Sequence, residues 1–295
     1  MVVLERARRL EAVGAGIQLS PNAGHVVDRL GIAGALDADA FRPDGIVVHA
    51  GRGGAPVAEI PYGDAVRRHG APYRTVHRGD LHAALLSAAR TLPEIGIVTA
   101  AAVEAVEEAP DRVHALTGAG RYEGSLLVGA DGVRSAVRAA VPGHAGPRAT
   151  GRIAWRGTAR AEALPANAPV TRLCLLPDAH VVAYPMGAGR PVNVVAVLSA
   201  PGSTFGANAP PPPPDAARFR SHPWRPLLAG VEDWTPWPLF AVDPSGPWVR
   251  GRVGLLGDAA HAMLPFMAQG GAMALEDAAV LADAVDRAGP EPAAL

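Results

Sequence analysis

RVGLLGDAAHAMLPFMAQGGAMALED, residues 252–277, decides how the whole chain is read. It opens with an apolar run of strand length, Val253 to Leu256, bounded by glycines. Gly257-Asp258 breaks the run. A stretch of small residues with one proline follows, then Gln269-Gly270-Gly271, then a helical pattern to about Ala288. Strand, tight turn, glycine-rich loop and helix form a layout that brings backbone N–H groups up to a ligand. A helix N-terminus carries unpaired N–H groups and a partial positive charge, so it favours an anion or an electron-rich ring edge. Gly270 and Gly271 lack Cβ and allow close approach. Asp258, at the carboxyl end of the strand, can accept hydrogen bonds from sugar hydroxyls. Taken alone, the glycines fit an ordinary connection with a glycine cap equally well.

Composition narrows the classes. The chain has 295 residues, enough for one large domain or two smaller ones, and 49% of them are hydrophobic, ordinary for a globular α/β protein. The formal net charge is -1, which points to neither nucleic acid nor an anionic membrane as partner. Cys174 is the single cysteine, so no intrachain disulfide can form and a reducing compartment, the cytoplasm, is expected. No apolar run reaches the ~20 residues of a membrane span. No signal-peptide pattern is present at the start. There is no lysine, which excludes Walker-type phosphate binding and Schiff-base chemistry. Neither a G-x-S-x-G elbow nor an H-E-x-x-H pair occurs. The histidines are scattered, and His77 and His82 have the wrong spacing for a helical metal pair, so no metal site is expected. Redox chemistry from a bound cofactor is the reading that remains.

In chain order, Met1 to Arg6 reads as a short apolar strand ending in an acid, Glu5. In a dinucleotide-binding unit the acid ending the second strand bonds the adenosine ribose, and Glu5 fits that role. The G-x-G-x-x-G that should stand roughly 20–30 residues earlier has no counterpart in the chain. A fragment of a longer protein, or a start-site error, is the expectation. Ser20 is placed to N-cap a helix with Pro21 at its first position. Residues 46–62 read as a hairpin around Gly51-Arg52-Gly53-Gly54. Asp80 can cap a helix that follows Arg78, and an arginine just before a helix N-terminus is well placed for a phosphate. Short strands are expected at 95–99, 103–107, 112–116 and 125–128, before the turn Gly129-Ala130-Asp131-Gly132 and Arg138. A second compartment runs over 151–249, with strands near 153–159, 172–176, 180–185 and 192–198 and four of the five tryptophans in its second half. Pro210 to Pro214 reads as an extended surface loop.

GDAAHAMLPFMAQGGAMALEDA resembles the second flavin fingerprint of the single-component FAD-dependent aromatic hydroxylases, the p-hydroxybenzoate/salicylate hydroxylase-like family. Ala262 stands where that family usually has proline, and Gly271-Ala272 where it often has Ala-Asn. GAGIQLSPNA from Gly14, HRGDL from His77, and GADGVRS from Gly129 resemble further family motifs, in the family's order. The fold this implies is α/β. It is an FAD/NAD(P)-binding Rossmann-like domain, N-terminally incomplete, over 1–45, 76–150 and 250–295, with an inserted, mostly antiparallel substrate domain over 46–75 and 151–249.

The implied activity is a monooxygenase that hydroxylates a small phenolic ring with NAD(P)H and O2. Reduced FAD would take up oxygen at the flavin C4a as a hydroperoxide and pass its distal oxygen to the ring. The implied cofactor residues are Glu5 and Arg6 at the ribose, Gly16 beside the flavin, and Arg78 and Asp258 on the sugar-phosphate chain. Val103 would contribute a backbone contact, Asp131 and Gly132 would serve FAD and NAD(P)H, and Gly270 and Gly271 with Pro265 would flank the isoalloxazine. His222 is the candidate base, with a surface-loop histidine as the other reading. Tyr184, Trp155 and Arg156 are candidates for the substrate pocket. Alternatives from other classes are a non-catalytic remnant of such a flavoprotein, and an FAD enzyme of the same fold catalysing epoxidation or another oxidation.

Overall fold

The structure, a computed structural model, describes the chain except for residues 12–15, 52–54, 161, 163–168, 188, 201–211 and 215–223. The described elements, in order, begin with β1 (Val2–Leu4), β2 (Gly16–Leu19), α1 (Pro21–Arg29), α2 (Ala33–Asp37), β3 (Gly45–Ala50), β4 (Ala55–Pro61) and α3 (Ala65–His69). Next come β5 (Arg74–His77), α4 (Arg78–Arg90), β6 (Gly96–Val98), β7 (Val103–Glu108), β8 (Val113–Thr117), β9 (Gly120–Gly124) and β10 (Leu127–Gly129). A 3-10 turn, Val137–Ala140, leads to β11 (Arg148–Ala159), β12 (Thr171–Leu176), β13 (Ala179–Pro185) and β14 (Val192–Ser199). The chain closes with α5 (Arg225–Ala229), β15 (Glu232–Ala241), β16 (Val249–Arg250), β17 (Val253–Leu255), α6 (Asp258–His261) and α7 (Gly270–Ala288).

Two compact units divide these elements. The first comprises Met1–Glu11, Leu86–Arg148 and Phe240–Leu295, the second Ala12–Leu85 and Ala149–Leu239. In the first unit β1 pairs in parallel with β6, and β10 in parallel with β17. Parallel neighbours need long crossovers: the chain between β1 and β6 includes α1 to α4, the chain between β10 and β17 includes β11 to β15, and the segment from β6 to β10 is a meander. β7, β8 and β9 form that antiparallel meander. Val113, Val137, Val141, Val253, Leu255, Ala259 and Ala260 make the core of this unit.

The second unit holds a seven-stranded sheet in the order β15-β11-β14-β13-β12-β3-β4. β12 and β3 run parallel, whereas β3–β4, β12–β13, β13–β14 and β11–β14 are antiparallel. Side chains alternate faces along a strand. One face carries Ile153, Trp155, Cys174, Val181, Ala183, Val194 and Ala196, and buries them with Trp224, Leu227 and Leu228. The other face mixes Arg156, Tyr184 and Asn193 with apolar residues such as Ala154 and Val197. Burial raises the Cys174 thiol to about 11, as suits an inert core residue.

Several local expectations are corrected. β15 has no counterpart among the expected strands; it contains Pro236 and Pro238, which lie at the sheet edge, where a missing N–H costs no ladder bond. β9 was absent from the sequence reading as well; its GRYEG has too few apolar residues to mark a strand. Ser20 occupies the N-cap position in extended conformation, as expected, but its hydroxyl donates to the Asn22 side chain and accepts no backbone N–H of α1. At α4 the cap is His77, whose Nδ1 accepts the Gly79 N–H at 3.1 Å, while Asp80 pairs with Arg190 at 2.9 Å. β3 and β4 pair as the hairpin expected, with its turn at 52–54 outside the described residues, as are residues 210–211 of the proline run. Among the described residues no helix is long and apolar enough to cross a membrane.

Trp224 is 1% exposed and fills the core face of the sheet. Trp224→Ala is expected to lower unfolding free energy by about 3–5 kcal/mol in a urea titration, the usual cost of deleting a buried aromatic; a loss under about 1 kcal/mol would contradict this packing.

Candidate functional site

In the first unit, β17 ends in a turn that only glycine makes easily. Gly257 has φ 53° and ψ −136°, and a Cβ built on it would lie 3.0 Å from the Ala274 Cβ. Its N–H donates to Asp277 Oδ2 at 2.9 Å, and the same oxygen meets His261 Nε2 at 2.6 Å. Asp258 begins α6 with its side chain exposed and no partner among the described residues. Pro265 opens a 3-10 turn that leaves Phe266 45% and Met267 77% exposed. Ala268 then takes the left-handed region at φ 53°, ψ 29°. Gln269 precedes α7 without a side-chain cap, and the first turn holds no acidic residue. The leading N–H groups of α7, from Gly270 and Gly271 onward, have no intrahelical acceptor. A Cβ on Gly270 would meet nothing nearer than Met263 Cγ at 3.9 Å.

The turn at Asp131-Gly132 is tied to that turn by Arg138, which is 5% exposed. Its guanidinium donates to the carbonyls of Ala259 at 2.8 Å, Asp258 at 3.2 Å, Val133 at 2.9 Å and Gly132 at 3.5 Å. Burial pushes its pKa down, and the charge of Asp131 opposes that. Asp131 Oδ2 accepts the N–H groups of Ala136 at 2.7 Å and Val137 at 3.2 Å, so this carboxylate caps the following 3-10 turn. Glu5, just past β1, accepts the Ala7 N–H at 2.7 Å, and Arg6 beside it is exposed. Val103 opens β7, whose pairing with β8 shifts register between Val103 and Ala105.

This donor set fits a ligand that brings hydroxyls and an electron-rich edge. The α7 N-terminus is uncapped, the space over Gly270 is open, and the Asp258 carboxylate is unclaimed. Among the described residues no group of three metal-ligating side chains exists.

In the second unit the face of the sheet opposite the core carries a buried cluster. Gly16 N–H donates to Asn193 Oδ1 at 3.0 Å, and a Cβ on Gly16 would come within 2.5 Å of Tyr184 Cε2. Tyr184 is 4% exposed, and burial drives its phenol pKa well above 10, with the Arg156 charge opposing. Tyr184 therefore stays protonated at neutral pH, with an O–H able to donate. Desolvation lowers the Arg156 pKa, Tyr184 counteracts, and the charge of Arg78 adds to the lowering. The Arg156 guanidinium lies 5.1 Å from the Trp237 ring centroid and has no carboxylate partner among the described residues. Trp155, next to Arg156 in sequence, points to the other face and into the core. Arg78 is exposed at the start of α4 and likewise unpaired among the described residues. Tyr73 stacks on Tyr62 at 4.3 Å and donates to Gln18 Oε1 at 2.8 Å. His222 lies outside the described residues.

Asn193, His261 and Asp277 have no role in the sequence reading, and Arg138 has one only in part. Asn193 lies in an apolar strand with no local signal. Arg138 was noticed only by its spacing, because its reach to residues 258–259 is tertiary. His261 and Asp277 stand inside the quoted fingerprint, at helical positions that carry no sign of their pairing.

A family model described as an FAD binding domain matches residues 1–286. A 3-amino-4-hydroxybenzoate 2-monooxygenase of Streptomyces platensis is 38% identical over 98% of this chain and 74% of its own length. The 3-hydroxybenzoate 6-hydroxylase 1 of Aquipseudomonas alcaligenes is 36% identical over 95% of this chain and 73% of its own. Among solved structures, Klebsiella pneumoniae HpxO complexed with FAD and uric acid aligns with a TM-score of 0.83 at 23% identity, over 100% of this chain and 81% of that one. A salicylate hydroxylase in complex with substrate aligns at 0.77 and 24% identity, over 99% and 80%. At such identities these two speak for the fold.

Burial raises Tyr62 to about 12 and pushes Tyr73 and Tyr184 higher still. Unfolded tyrosines lose their protons near 10. Above that pH the unfolded chain releases protons that the folded chain keeps, so stability present at neutral pH falls as pH rises from about 10 towards 12. The urea midpoint is expected to drop between pH 8 and pH 11, and less steeply in Tyr184→Phe; equal slopes in the two proteins would contradict the burial of that phenol.

Proposed function

The chain belongs to the FAD-binding-domain family of flavin-dependent monooxygenases, and from that premise we propose that its oxygen acceptor is a small phenolic ring bearing a carboxylate. FAD is its cofactor, and its reaction is an FAD-dependent monooxygenation of an aromatic substrate with NAD(P)H as reductant. When bound and reduced, FAD supplies the activation of O2 and the transfer of one oxygen atom, which no side chain can perform.

The protein's own residues have three tasks. The first is to hold the cofactor. The N-terminal amides of α7 at Gly270 and Gly271 would face the electron-rich edge of the ring system, with Pro265 as an apolar wall. The free carboxylate of Asp258 would accept sugar hydroxyls, and Glu5 has one carboxylate oxygen left for the same purpose beside its bond to Ala7. The unpaired guanidinium of Arg78 suits a phosphate. Arg6, Gly16, Val103, Asp131 and Gly132 belong to the same proposal. The carboxylate of Asp131 is already engaged by two backbone N–H groups, so its contribution is to shape the Gly132 turn.

The second task is to bind and orient substrate. The observation that carries the carboxylate assignment is Arg156, a desolvated guanidinium whose described partners are an aromatic face and no acid. A half-buried, partly desolvated cation with no acid beside it among the described residues is receptive to an anion, and an aromatic acid supplies both the charge and a bidentate partner. The hydroxybenzoate names of the relatives agree with that chemistry. The third task is to manage protons. Tyr184, kept protonated by burial, donates to a ring oxygen and so favours a developing phenolate. His222 remains the candidate for the base that takes the phenol proton.

Two measurements test this reading. NAD(P)H oxidation by the FAD-loaded chain is expected to rise with hydroxybenzoates and not with the matching methyl esters; equal stimulation by acid and ester would overturn the carboxylate assignment. Arg156→Gln is expected to raise KM for the acid by about 10- to 100-fold, the loss of a charge-assisted hydrogen-bonded pair, with kcat changed much less. An unchanged KM would remove Arg156 from the site.

A further inference from the structure

The turn that presents Asp258 and the helix that presents Gly270 are separate elements, and one carboxylate oxygen joins them. Asp277 lies seven residues after Gly270 on α7, two turns on and on the same face. Its Oδ2 accepts the Gly257 N–H at 2.9 Å and the His261 Nε2–H at 2.6 Å, so it binds both ends of the segment Gly257–His261. The Asp277 side chain is 15% exposed and that of His261 3%, so neither contact is screened by bulk water. His261 also packs against Trp248, the rings tilted by 32° with centroids 4.9 Å apart. His261 Nδ1 is buried with no partner among the described residues, and because the Asp277 carboxylate can only accept, the ring donates from Nε2. Gly257 approaches α7 so closely that its absent Cβ would crowd Ala274, which leaves the turn little other room.

We propose that Asp277, with His261 as its donor, is a positioning latch that holds the Gly257–Asp258 turn against α7, and that this latch sets both the affinity for FAD and the surroundings of the bound flavin. The inference rests on the assignment of Asp258 and the α7 N-terminus to the cofactor. Neither latch residue is assigned a contact with the cofactor, so neither is a catalytic residue. Breaking the latch removes the contacts that pin the Gly257 backbone in one of the several conformations a glycine can adopt. The turn then relaxes, and the carboxylate of Asp258 moves relative to the helix amides. A displacement of about 1 Å is enough to spoil such a constellation.

The oxygen that serves both partners suggests the variants. Asp277→Ala removes both bonds. Asp277→Asn keeps a carbonyl oxygen able to accept both N–H groups at neutral strength. The FAD dissociation constant, followed by quenching of flavin fluorescence at low temperature on chains shown by far-ultraviolet circular dichroism to be folded, is expected to rise tenfold or more in Asp277→Ala. In Asp277→Asn it is expected to return to within a few-fold of the parent. The visible circular dichroism of bound flavin should change in Ala and be recovered in Asn, which a general loss of stability would not produce. Hydrogen exchange at the Gly257 amide, measured without FAD, should accelerate in Asp277→Ala and reports the latch independently of any cofactor.

Unchanged exchange at Gly257 overturns the latch. Faster exchange with an unchanged dissociation constant and flavin spectrum overturns its role toward FAD. A parent chain that binds no FAD, while Gly257 exchange still depends on Asp277, leaves a structural latch and sinks the cofactor assignment together with the proposed role. If Asp277→Ala fails to fold, His261→Gln replaces it: its amide can donate to Asp277, so parent-like exchange and affinity support the hydrogen bond as the working contact, and Ala-like values in His261→Ala complete the comparison, whereas parent-like values in His261→Ala overturn it.

Discussion

A buried guanidinium with only carbonyl partners organises the first unit. Arg138 reaches Gly132 and Val133 on one loop and Asp258 and Ala259 on another, and among the described residues no acidic side chain bonds it directly. Burying a cation is tolerable when its N–H groups are all engaged, and carbonyl dipoles do that here while the nearby Asp131 supplies opposing charge. Hydrogen bonds to a charged donor are the stronger kind, so the two loops are held more firmly than van der Waals contact would hold them. The consequence for function is selective stiffness. Backbone at Gly132 and Asp258 is fixed, while the Asp258 carboxylate is left free for a ligand.

The second unit solves a different problem, that of one sheet with two incompatible faces. The two-residue period of a strand sends Trp155 into the core and its neighbour Arg156 to the opposite face. The same alternation separates Ala183 from Tyr184 and Val194 from Asn193. Gly16 then closes over Tyr184 at a distance no Cβ would permit. Burial keeps the tyrosine protonated, and among the described residues no acid pairs with Arg156. One physical cause, desolvation, thus prepares both groups in opposite senses.

Much of this was legible in the sequence, for identifiable reasons. Val253 to Leu256, the Gly-Asp turn and the helix from Gly270 are local features, written in adjacent residues by strand length, turn chemistry and helical period, and the structure has them at Val253–Leu255 and Gly270–Ala288. Strands in the β7–β8 meander and in β11 to β14 were readable within a few residues, because their apolar runs are bounded by turns. β15 was not, because propensity argues against Pro236 and Pro238 and only edge position excuses them. Capping misled twice: Ser20 and Asp80 are residues that usually cap, yet each found a side-chain partner, Asn22 and Arg190, that no local rule foresees. In the candidate sites the identities of many residues were legible and their partners were not. Arg138 to Ala259, Gly16 to Asn193, and His261 to Asp277 are tertiary pairs, and sequence spacing carries no information about which carbonyl or carboxylate an inward side chain will find.

The central claim is that this chain holds FAD. The most direct measurement is the visible absorption spectrum of the purified chain after incubation with FAD and desalting. A retained flavin band at close to one FAD per chain is the predicted result. A folded chain that emerges without flavin would contradict it.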